Sequence, residues 1–276
     1  MSKLSLIALL LVGCADDPGT PAPKAEPPGD RLPEKTINVT PADLKANAEN
    51  VALVPSPAEM QRALDRAGIA TALSGQIPDR VLKLDAENKD VVAVRTGVVL
   101  ADALLTVKDA PTPKLVERIK LVRTGLTHMG AGTDISTTLD EMVARIENNS
   151  VSRDDLVREL DELHGAIIPE IRFEAGDRCV PLLQAGSWLE GSHLVAAAVI
   201  AASKPDAANQ LLRQPQVVDY FLKYVRTEGA DKAPSDVIKK LETTLTTLGS
   251  IASKSALTLD DVKEVHSSTR SVLAML

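Results

Sequence analysis

The stretch RCVPLLQAGSWLEGSHLVAAAVIAA, residues 178–202, decides the fold. It is apolar nearly all round and far longer than an ordinary strand, which marks a helix buried at the centre of a larger helical body. Gln184, Glu190 and His193 interrupt it and argue against a membrane span. Ser187, Gly191, Leu194 and Ala198 fall roughly along one stripe, where small side chains let a neighbouring helix come close. Trp188, the only tryptophan, reads as a core anchor.

Outward from this segment the text is a succession of amphipathic helices with individual start and stop signals. Ser56-Pro57-Ala58-Glu59 combines an N-cap, a proline at the first helical position and a capping-box glutamate. Glu87 to about Val107 carries Val91, Val94, Val98, Ala101 and Leu105 at helical spacing, and its length overrides the strand preference of its valines. Thr112-Pro113 opens a third helix that ends before Gly130, and Leu139, Met142, Val143 and Ile146 mark a fourth. Ser152 starts a fifth that runs up to Pro169, where a kink or a stop is expected. Beyond the central segment come Asp206–Arg213, Gln214–Arg226, Pro234 to about Ile251, and Leu259–Leu276 capped by Thr258. The expectation is an all-α bundle of about nine helices over residues 54–276, with no fixed-length repeat.

Composition agrees. The chain of 276 residues is 44% hydrophobic and 25% charged, which excludes wholesale disorder. One Trp, two Tyr and two Phe starve sheet architectures and base-stacking platforms alike. A net charge of −7 repels polyanions, so nucleic acid is not an expected partner.

The N-terminus reads as an address. Lys3 supplies a positive start and Leu4 to Val12 a short apolar run, too short for a bilayer, which needs about 20 residues. Leu11-Val12-Gly13-Cys14 resembles the lipobox of bacterial lipoproteins. That resemblance implies a signal peptide over 1–13, acylation of Cys14, palmitate among the attached chains, and a membrane anchor at the cell envelope facing the periplasm. Ala15 directly after the cysteine favours the outer membrane over the inner one under enterobacterial sorting rules. Nine of the 17 prolines fall between residues 15 and 57, so residues 14–53 read as a tether that builds no core. With Cys14 consumed, Cys179 has no disulfide partner in the mature chain and reads as a buried, inert thiol.

Three phrases add a second resemblance: Val54-Pro55-Ser56-Pro57 followed by Glu59 and Ala67-Gly68; Gly97 with Ala101-Asp102; and Gly186-Ser187-Trp188-Leu189-Glu190-Gly191. Together they resemble a family of uncharacterised, all-helical bacterial envelope proteins, many with lipoprotein leaders. The resemblance implies fold and location and carries no activity. In that family's pattern the position of His193 is usually aromatic, which speaks against a metal role for this histidine.

Two acids stand where a core should be. Asp102 and Glu190 each interrupt an apolar run, so each is expected at least partly buried and in need of a partner. Arg95 is about two turns from Asp102, too far for a local pair; Arg123, His128 and His193 are the candidates from other helices. The cluster reads either as an internal network that fixes helix register or as a polar pocket for a small ligand. Glu190-x-x-His193 and Asp161-x-x-His164 have the spacing of di-iron bundles, but no further glutamate pair presents itself, and no metal or cofactor is expected. No nucleophile elbow, Cys/His pairing or phosphate-cradling glycine loop occurs, so no catalytic residue is assigned. The expected function is a non-catalytic envelope adaptor or interaction module with a protein partner. The alternative is a small-ligand receptor built around Asp102 and Glu190.

Overall fold

The computed structural model describes residues 54–69, 72–78, 80–229, 232 and 235–276. The signal segment, Cys14 and the tether to residue 53 lie outside the described residues. Within them the fold is all-α, with ten α-helices: α1 Pro57–Arg66, α2 Lys89–Thr106, α3 Thr112–Met129, α4 Thr133–Glu147, α5 Arg153–Ala175, α6 Cys179–Ala202, α7 Pro205–Leu211, α8 Pro215–Tyr224, α9 Ser235–Ala252 and α10 Leu259–Leu273. No strand occurs among the described residues, and none of their helices is long and apolar enough to cross a membrane.

The caps stand where the sequence placed them. Ser56 and Glu59 form a reciprocal capping box at α1, with the Glu59 amide donating to Ser56 Oγ at 3.1 Å and the Ser56 amide to Glu59 Oε2 at 2.7 Å. Thr258 and Asp261 repeat the arrangement at α10, and Gly130 ends α3 with a left-handed φ of 102°. Pro169 does not stop its helix. The Gly165 carbonyl loses its donor there, yet Ile167 and Ile171 are both fully buried, and their shared face carries α5 across the proline to Ala175.

Helices α2 and α6 form the spine, and core side chains gather on either side of it. On one side Val99, Leu100 and Leu104 of α2 meet α3, α4 and α5 through residues such as Ile119, Met142 and Leu160. On the other side Val98 and Leu105 of α2 join Trp188, Leu194 and Val199 of α6 in a core completed by α1 and α7–α10. The spine helices touch through backbone. A methyl group on Gly186 would stand 1.9 Å from the Val94 carbonyl oxygen, and one on Gly97 would stand 2.0 Å from the Leu183 carbonyl oxygen. No side chain fits at either position, so both residues must be glycine for α2 and α6 to lie this close. The predicted small-residue stripe contributes at Gly191, where a methyl would meet Met60 Sδ of α1 at 2.4 Å, but the tightest contact lies one turn earlier, at Gly186.

Candidate functional site

The two sequence-singled acids come together on the spine. Asp102 of α2 and Glu190 of α6 are both buried, Glu190 completely. Their cation is neither Arg123 nor His128. Arg123 Nε pairs with Asp140 at 2.8 Å on the surface, and the His128 ring bonds the Ala86 carbonyl oxygen at 2.9 Å. Both lie on α3, which packs on the opposite side of α2 from Glu190's helix partners. The cation is Arg80, from the irregular segment between α1 and α2. It donates through Nη2 to Asp102 Oδ1 at 3.1 Å and Oδ2 at 3.0 Å, and its Nη1 stands 3.0 Å from Glu190 Oε2.

That last contact has ionic distance but not hydrogen-bond geometry, and neither Glu190 oxygen has a hydrogen-bond donor among the described residues. Burial, then the neighbouring Glu190, push the Asp102 carboxyl well above the ordinary carboxylate range, while Arg80 pulls the other way. Arg80 stands between the two acids as their one cation in a dry interior. The space that a polar ligand would need is therefore occupied by Arg80 itself.

His193, one turn beyond Glu190, turns to α10. Its Nδ1 lies 3.2 Å from Thr269 Oγ1 and its ring stacks on that of His266 with centroids 4.3 Å apart. Burial lowers the proton affinity of both rings. Asp161, in the other spaced pair, binds Arg62 at 2.6 Å, and no three His, Cys, Asp or Glu side chains gather as a metal-binding group among the described residues. Cys179 is buried, its Sγ donating to the Ala175 carbonyl oxygen at 3.6 Å, and burial pushes its thiol up, away from reactivity.

Among the described residues a space does lie open beside the spine, where the sequence named no site. A cavity of about 260 Å³ lies among α2, α6, α8, α9 and α10. Its wall is overwhelmingly apolar: Val91 and Val94 from α2, Ala185, Trp188 and Leu189 from α6, Phe221 from α8, and Leu241 and Val272 from α9 and α10. Trp188 and Phe221 meet at 5.3 Å with rings tilted by 42°. The indole Nε1 donates to Gln214 Oε1 at 3.4 Å, which satisfies the ring's one polar atom away from the cavity.

No family model, curated protein or solved structure matches this chain.

The cavity must therefore be understood from its own chemistry. Trp188, Phe221 and Tyr224 line it, so three of the chain's five aromatic residues border one space. Trp188, expected as a core anchor, is both: it is 6% exposed and borders the space. Such a chamber offers shape and dispersion to an apolar guest.

Proposed function

We propose that the protein is a lipid-tethered, non-catalytic receptor of the bacterial cell envelope whose helical body holds a small apolar molecule in the chamber beside α6. The observation that carries this reading is the chamber itself: about 260 Å³ walled almost wholly by apolar and aromatic side chains. A space of that size lined by carbon favours an apolar guest over water, because water inside would find few polar partners. The ligand site thus moves from Asp102 and Glu190, which Arg80 fills, to the opposite flank of α6. Acylation at Cys14, the tether over residues 14–53 and the resemblance to helical envelope proteins support the placement at a membrane, with the outer membrane favoured by Ala15.

Trp188 is the only tryptophan and reports on the wall directly. Titration with 1-octanol should shift its emission along a saturable curve. Ala185→Leu, which enlarges a side chain in the wall, should weaken that binding about tenfold, equivalent to ~1.4 kcal/mol. A non-saturating response in the wild type, or equal affinity in the variant, would remove the basis for the receptor.

A further inference from the structure

A second, more open cavity of about 570 Å³ adjoins the chamber and is bordered by Asp177, Asp219, Tyr220, Lys223 and Thr227. Arg178, Tyr224 and Glu228 line both spaces and form the boundary between them. Two of the charges here have partners of opposite sign. Arg178 pairs with Asp90, and Asp177 lies 3.5 Å from Arg172. What faces the vestibule is then Asp219 and Glu228 on one side of the ledger of charge and Lys223 on the other, with Lys232 at the chamber's rim as a second cation.

Two tyrosine rings stand among these groups. Tyr220 and Tyr224 are one helical turn apart on α8, and Tyr224 Oη donates to the Arg178 carbonyl oxygen at 3.3 Å, which fixes its ring. Burial holds both phenols above their ordinary value, so they present neutral faces. Neutral phenol faces flanked by carboxylates attract an ammonium group; lysines beside them attract an anion. A purely anionic head would face Asp219 and Glu228, and a purely cationic one would face both lysines.

We propose that the ligand is a single-chain amphiphile with a zwitterionic head: tail in the chamber, ammonium beside Tyr220, Tyr224, Asp219 and Glu228, and anionic group toward Lys223 and Lys232. This inference rests on the receptor reading and sharpens it. The chamber's 260 Å³ exceeds the ~150 Å³ of an apolar cavity that admits benzene, so it has room for a short alkyl tail, for which an octyl chain is the probe.

Four probes sharing an octyl tail decide the matter: octylphosphocholine, octyltrimethylammonium, octanoate and 1-octanol, each below its micelle concentration, with Trp188 emission as the readout. Octylphosphocholine should bind about tenfold more tightly than either singly charged probe. In the double variant Asp219→Asn with Glu228→Gln that preference should fall to about twofold or less. If 1-octanol binds saturably but a singly charged probe matches the phosphocholine, the zwitterion is overturned and the receptor stands. Selectivity undiminished in the double variant would overturn the placement of the head. If none of the four probes saturates, the receptor reading fails as well.

Discussion

Gly186 and Trp188 are two residues apart on α6 and face opposite packing regimes. Gly186 presses its backbone onto that of α2, where not even a methyl group fits, whereas Trp188 borders open volume that Phe221 and the apolar side chains of α9 and α10 leave unfilled. Close-packed interiors rarely keep voids larger than a water molecule, so the same helix is sealed on one flank and hollow on the other. The sealed flank sets the register of the spine; the hollow flank is where the molecule has room to act. Arg80 belongs with the sealed flank, since its guanidinium stands between Asp102 and Glu190.

The largest effect that would break this contrast is expected at the sealed contact. Gly186→Ala places a carbon against the Val94 carbonyl oxygen, a backbone atom that cannot rotate away. Overpacking of flexible neighbours costs about 1–3 kcal/mol, so a clash with backbone should cost at least about 3 kcal/mol in urea melts, or prevent folding. A loss under about 1 kcal/mol would show that α2 and α6 are not held at this distance.

Next in size is the buried cation. Arg80→Met leaves Asp102 and Glu190 without a counter-charge, a change that should cost about 3–5 kcal/mol at neutral pH. The deficit should shrink as pH falls, because a protonated Asp102 carboxyl needs no cation. The wild type carries a related signature. Asp102 has its folded-state proton affinity raised, so the folded chain binds more protons than the unfolded one above the ordinary value of 3.8, and stability contributed by this group falls as pH rises toward its folded value. His193 and His266 are depressed and act in the opposite sense: their folded forms bind fewer protons, and stability is lost as pH falls below 6.5 through their folded values. The Asp102 contribution is isolated by the difference between wild type and Asp102→Asn, which should decline as pH rises above 4; a flat difference would mean that no proton is held there.

Much of the sealed region was legible in the sequence. Helix boundaries followed from Ser56, Thr258 and Gly130, whose capping chemistry is local, and the burial of α6 followed from its uniform apolarity. Asp102 and Glu190 announced a buried cluster because acids inside apolar runs need an explanation. Their partner was not legible. Arg80 lies in no periodic segment, between exposed Pro78 and exposed Val81, and only the path of the chain over the spine turns its guanidinium inward. Arg123 and His128 were plausible by helix count alone, but that count cannot say which side of α2 receives α3.

The chamber was harder still. Its wall is assembled from five helices spanning residues 88–276, and a missing side chain leaves no mark in any one segment. Scarcity of aromatics held the one usable signal: Trp188, Phe221 and Tyr224 are too few to be spread evenly, and they converge.

Crystals of the protein equilibrated with 8-bromo-1-octanol test the contrast between the two flanks most directly, because anomalous scattering locates the bromine without reference to any assumed pose. A single strong peak inside the chamber, within contact distance of Trp188 and Phe221, is the predicted result. Bromine absent from the chamber while it appears between α2 and α6, or an ordered side chain found filling the space beside Trp188, would contradict the account.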